Sequence, residues 1–393
     1  MLLSVALILL LGMLLGSICK KLKLPPLIGM LLTGVILGPF VLNLIDPTVS
    51  AISADLRKIA LVIILFRAGL GLDLSGLKKN GRPAFLMCFL PATFELLGVL
   101  LLAPVFLGFT YLEAAILGSV LAAVSPAVVV PRMVKLMDEG YGVKEGIPQV
   151  ILAGASVDDV YVIVLFTTFL GMAEGKGVSI LSFVNIPVSI ILGALIGLGA
   201  SYLMAKLFEK VHMRDTIKVM IILCISLLLV VFESMLTTYI TFAALISVMF
   251  IGIGLQKFRN AVAKRLSVKF SKLWVCAEVF LFVLVGATVN IGSLKNTGVM
   301  AVALILLALV FRMLGVFICL IGAKMNMKEK LFTMISYTPK ATVQAAIGGM
   351  PLAIGLACGD IVLTVAVLAI VITAPLGAFF IDLTYKKFLN KAS

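Results

Sequence analysis

Two adjacent carboxylates, Asp158 and Asp159, lie near the middle of an apolar run spanning residues 145–171. Roughly 20 apolar residues suffice to cross a bilayer as a helix, so this run is long enough. A carboxylate at bilayer depth is costly, so it faces a wet cavity or a partner and marks an ion or proton path. Successive helical residues point about 100° apart, which sends the two acids toward different neighbours. That divergence disfavours an intramembrane aspartyl protease, whose two carboxylates must converge to share one proton.

The counter-charge and the oxygen ligands are sought at broken helices. Ser125-Pro126 and Thr338-Pro339 both fall inside apolar runs, and Lys340 follows the second proline directly. A proline inside a helix removes a hydrogen bond and frees a carbonyl. Asp158, Asp159 and Lys340 together leave one negative charge, which suits one monovalent cation or one proton. The expected chemistry is competition, with Na+ (or Li+) and H+ taking turns on the carboxylate oxygens of Asp159 and Asp158. Ser125 and the freed carbonyls would add hard oxygen ligands, and Lys340 would couple to the protons. Glu95 and Arg312, single opposite charges on two other apolar runs, read as a structural ion pair joining two halves of the molecule.

The elements that must position these groups are helices. The chain has 393 residues, of which 62% are hydrophobic and only 13% charged, with mean hydropathy +1.25. Soluble domains run at about 45–50% apolar and about 25% charged. The short alternating segments of a membrane barrel are absent. Hydropathy places thirteen spans at about 2–19, 25–44, 58–73, 83–108, 111–136, 146–171, 179–208, 216–232, 235–255, 273–292, 298–323, 330–355 and 360–382. Of the 32 Lys and Arg, 25 fall in one alternating set of loops and the C-terminal tail, four in the other set and three within spans. The positive-inside rule then sets the N-terminus outside and the C-terminus in the cytoplasm. It also explains the net charge of +14 by topology, so no nucleic-acid partner is expected.

Thirteen spans divide into two sets of six around the seventh, and each set carries a proline break in its fifth span. This predicts two inverted six-helix repeats with broken crossing helices, the arrangement common in secondary transporters. The first repeat is residues 1–171 with its core part at 83–171. A linker helix follows at 172–212, and the second repeat is 213–393 with its core part at 298–382. Glu278 reads equally as a cation funnel or a snorkelling side chain, and Arg67 as snorkelling. His212 sits in a charged, solvated loop. Gly12xxxGly16 and Gly193xxxGly197 are candidate helix-contact faces. The six cysteines have no metal-like spacing and read as packing residues, and the apolar N-terminus reads as a retained first helix.

The stretches LFRAGLGLDLSGLKK (65–79), LAAVSPAVVVP (121–131), GYGVKEGIPQVILAGASVDDV (140–160) and TPKATVQAAIGG (338–349) resemble the cation–proton antiporter superfamily. The resemblance is to its Asp-Asp branch, CPA2, and within that to the sodium/proton exchangers of the 9B subgroup. It implies an all-α sodium/proton antiporter fold, a homodimer, and an elevator-like movement of the core against a scaffold. It also implies that Asp159 is the main ion ligand, that Asp158 pairs with Lys340, and that Glu95 and Arg312 form a core pair. Many relatives read Thr-Asp-Pro at the first break where this chain has Val124-Ser125-Pro126. The function expected is a Na+/H+ exchanger, with K+/H+ exchange or organic-anion:sodium symport as alternatives, and not an enzyme. No cofactor is expected. The expected partners are a second copy, the lipid bilayer and small monovalent cations, in the inner (plasma) membrane of a bacterium.

Overall fold

The computed structural model describes residues 1–71, 74–174, 180–236 and 242–391. In chain order the helices are α1 (Leu2–Lys21), α2 (Pro26–Leu37), α3 (Pro47–Ala51), α4 (Ser53–Gly71), α5 (Leu74–Met87) and α6 (Leu90–Leu107). Next come α7 (Tyr111–Leu121), α8 (Pro126–Glu139), α9 (Ile147–Ala173), α10 (Ile180–Lys210), α11 (Asp215–Leu236) and α12 (Ala244–Phe258). The last six are α13 (Asn260–Ala287), α14 (Ile291–Cys319), α15 (Met327–Ser336), α16 (Thr342–Ile347), α17 (Met350–Ala353) and α18 (Gly359–Phe388).

Among the described residues, nine stretches are long and apolar enough to cross a membrane, with α7 and α8 counted together as one; α2 and α12 are shorter apolar helices. Several expected spans are therefore realised differently. The span expected at 111–136 is the broken pair α7 and α8. That at 330–355 is cut into α15, α16 and α17, none of which crosses alone. The span at 58–73 falls on α4, where Arg57, Lys58 and Arg67 dilute the apolar run. Residues 237–241 of the expected ninth span, Lys176, and the side chains of Lys78, Lys79 and Lys295 from the charge count lie outside the described residues.

The helix ends follow from local chemistry. Pro26, Pro47 and Pro126 each occupy the first helical position, where a missing N–H costs nothing. Gly108 and Gly140 end α6 and α8 with φ of 67° and 80°, a left-handed backbone that favours glycine. The two half-helices that lead into the breaks start alike. Thr110 and Glu113 form a capping box at α7, as do Asn326 and Glu329 at α15.

Packing divides the chain into two units: Met1–Ala54, Asp73–Glu174 and Leu281–Ser393 in the first, Asp55–Leu72 and Gly175–Phe280 in the second. In the first unit the broken pair α7–α8 is most enclosed, with 83% of its apolar window buried; α9 has 76% and α18 67%, against 28% for α1. The broken pair is thus core, and α1 leaves most of its surface outside the packing of this chain. Within this unit α6 and α14 approach closely, because Gly98 leaves room for the Phe311 ring and Gly315 for the backbone of Pro91. The Gly12xxxGly16 face of α1 meets α2, with Gly16 beside the Pro26 carbonyl and Met30. In the second unit Gly193xxxGly197 faces α12, where added Cβ atoms would strike the carbonyls of Ala243 and Ser247.

The second half of α2 and the end of α13 cross at a reciprocal glycine contact in the first unit. A Cβ on Gly34 would overlap the Val283 carbonyl, and one on Gly286 would overlap the Leu31 carbonyl. Gly286→Val should therefore lower stability by about 1–3 kcal/mol through overpacking. Gly298→Ala, whose Cβ meets open space, is the control and should melt within a degree or two of wild type in detergent.

Candidate functional site: a buried ion-pair chain at two helix breaks

Two interrupted helices meet inside the first unit. Proline cannot donate and disfavours a helical residue before it, so Ser125 is extended and α7 stops short of Pro126. The second interruption, Tyr337 to Ala341, surrounds Pro339. The Ser125 amide donates to the Pro339 carbonyl at 2.8 Å, which ties one break to the other. From α18, Thr373 Oγ1 accepts the Lys340 amide at 2.9 Å, and Gly377 leaves the space that the Pro339 ring fills.

A helix that stops leaves its last four carbonyls without partners. Here side chains from the second break and from α14 supply them. Gln344 Nε2 donates to Val120 (3.1 Å) and Ala123 (2.9 Å), Lys340 Nζ donates to Leu121 (2.5 Å), and Arg312 Nη1 donates to Ala122. On the other side of the break, the Val124 amide donates to Asp158 Oδ2 at 2.9 Å. The carbonyls of Val120, Leu121, Ala122 and Ala123 at the first break thus each accept a side-chain hydrogen bond. The buried side-chain oxygens without a hydrogen-bond partner among the described residues include Ser125 Oγ, Asp158 Oδ1, Asp159 Oδ1, Thr342 Oγ1 and Gln344 Oε1.

The charges form a chain. Lys340 Nζ lies 2.6 Å from Glu95 Oε1, Glu95 Oε2 lies 2.8 Å from Arg312 Nη1, and Arg312 Nη2 lies 2.8 Å from Asp158 Oδ2. Glu95, Asp158, Arg312 and Lys340 have no solvent exposure, and Asp159 has 4%. The structure brings Glu95 and Arg312 together, yet not as an isolated pair. It also corrects the pairing of Lys340 with Asp158: the guanidinium fork spans both carboxylates, and the lysine stem ends on Glu95 instead. Asp159 belongs to no link of this chain. Three carboxylates against two cations leave one negative charge, and Asp159 is the acid without a cationic partner among the described residues.

Gln344, Tyr337 and Thr373 escaped the sequence reading. Each is a polar residue inside or beside an apolar run near a proline, a signal that was present but unspecific. Glu278 and Arg67 lie in the second unit on α13 and α4, within electrostatic reach of each other. His212 is exposed between α10 and α11. Among the described residues no cluster of His, Cys, Asp and Glu has a metal-holding arrangement. Glu95→Gln leaves the buried Lys340 ammonium without a carboxylate and breaks the centre of the chain. It should cost about 3–5 kcal/mol, seen as a large fall in melting temperature in detergent.

Residues 5–387 match the family model described as "Sodium/hydrogen exchanger, transmembrane". The chain is 36% identical to human sodium/hydrogen exchanger 9B2, across 97% of this chain and 73% of that protein. It is 34% identical to human sodium/hydrogen exchanger 9B1, across 94% and 73%. The structure of the sodium proton antiporter MjNhaP1 from Methanocaldococcus jannaschii at pH 8 has the same fold, with a TM-score of 0.84 and 22% identity over 98% of this chain and 97% of that one. These curated relatives are human proteins and lend no support to a bacterial inner membrane; what the matches do support is an integral membrane protein. Its relatives are transporters rather than enzymes, and the chain belongs to the transmembrane sodium/hydrogen exchanger family, alongside the 9B subgroup.

Proposed function

We propose that this protein exchanges Na+ (or Li+) for H+ across the membrane by alternating access, with ion and proton competing for Asp159. The observation that carries the reading is the position of Asp159. It is a carboxylate buried within a membrane-crossing helix, and its Oδ1 is unpaired while every other charge in the cluster is tied to an opposite one. A buried acid without a counter-charge is neutralised either by a proton or by a cation, and occupancy by one excludes the other. Asp158 Oδ1 and Ser125 Oγ are the further oxygens proposed for the cation, because both are buried and unpartnered. Hard oxygens of this kind suit an alkali ion.

Lys340 is proposed to act on proton coupling through Glu95 and Arg312, since those two stand between it and Asp158. The same reading includes thirteen membrane-crossing segments in two inverted six-helix repeats with the N-terminus outside, supported by the hydropathy pattern and the 25-to-4 division of loop charge. It also includes a homodimer whose core part moves by an elevator-like shift, as the family resemblance implies.

The test is transport in proteoliposomes carrying a pH-sensitive dye, with sodium, lithium or potassium as the driving ion. Wild type should move protons in response to sodium and lithium. Asp159→Asn should abolish this while still folding, and retained exchange in that variant would exclude the assignment. A response to potassium alone would replace the proposed substrate with K+.

A further inference from the structure

Tyr337 has no solvent exposure, and two of its parts bear on one guanidinium while a third anchors it. Its carbonyl accepts Arg312 Nε at 2.6 Å. Its ring centroid lies 5.1 Å from the guanidinium carbon. Its hydroxyl donates to the Met87 carbonyl at 3.1 Å, anchoring the ring to the end of α5. The space for the phenol comes from Gly154, one turn before Asp158 on α9, where an added Cβ would overlap Tyr337 Oη and come within 2.9 Å of Met87 Cβ.

An arginine on a flexible stem has many ways to place its fork, and recognition of two carboxylates at once needs the plane fixed. Tyr337 fixes it, with the carbonyl pinning Nε and the ring covering one face. Nη1 and Nη2 are then left for Glu95 and Asp158.

We infer that Tyr337 is a positioning residue that holds Arg312 on Asp158 and so sets how tightly the exchanger keeps its cation. This rests on the exchange function proposed above. When Arg312 can turn away, Asp158 loses its counter-charge beside Asp159, and the pair becomes a stronger cation trap. The ion then binds at lower concentration and leaves more slowly. A side chain that merely filled space would change stability and leave the apparent KM where it was.

The experiment measures sodium-driven proton flux against sodium concentration for wild type, Tyr337→Leu, Tyr337→Phe and Gly154→Ala, together with melting temperature in detergent. Tyr337→Leu removes the ring from the guanidinium face and should lower the apparent KM for sodium and the maximal rate, each by about tenfold, the scale of one desolvated cation–π contact. Tyr337→Phe keeps the ring and loses only the hydroxyl's bond to the Met87 carbonyl, and should shift both in the same direction by less. Gly154→Ala displaces the phenol from the other side and should also lower both. Should Tyr337→Leu fail to fold, Tyr337→Phe and Gly154→Ala decide the matter. Lowered melting temperatures with a wild-type KM in every active variant would overturn the inference. An inactive wild type, or a fully active Asp159→Asn, is a different result and would overturn the exchanger reading itself.

Discussion

The constraint on which the site depends is the fate of the peptide groups bared when α7 stops. A carbonyl left unpaired in a membrane core costs about 1–3 kcal/mol or more, and four in a row would exceed what most single contacts return. The chain meets this with side chains from beyond residue 311. Lys340, Arg312 and Gln344 each reach back to the break and take one or more of those oxygens. The backbone interruption and the buried cations are therefore one problem with one solution. The cations need acceptors, the broken helix has spare acceptors, and Glu95 and Asp158 complete the balance.

This arrangement also explains why one acid stands apart. Asp158 is committed twice through Oδ2, to the Val124 amide and to Arg312, which fixes its rotamer. Asp159, the next residue, is turned about 100° around α9 and cannot reach the same donors. A helix that placed the two acids four residues apart would bring both toward the same guanidinium, and the one net negative charge would be shared between them. Adjacent placement divides one structural carboxylate from one that remains available.

Much of this was legible in the residues themselves. The breaks at Pro126 and Pro339 follow from proline's missing N–H, and the depth of Asp158 and Asp159 follows from the length of the apolar run around them. The charges expected to gather do gather. The partner of each charge was not legible, because it depends on how far a flexible stem extends and which oxygen it finds first. Lys340 was expected at Asp158 and lies on Glu95, a difference of a few ångströms that no sequence spacing encodes. Gln344 was missed for a related reason: an amide in an apolar run announces only that some partner exists. The division of the 330–355 stretch into three short helices was also hidden, since its glycines and two prolines mark interruptions without giving their geometry.

The capping of the first break by distant residues has a consequence for how the protein is made. Ala122 waits for Arg312, 190 residues later in the chain, and Leu121 waits for Lys340, 219 residues later. During synthesis the end of α7 is made long before the side chains that cap its peptide oxygens, and stays without them until most of the polypeptide has been made. A chain truncated before α14 would present this uncapped segment to the lipid, and cellular surveillance of unassembled membrane segments would have a ready signal that translation ended early.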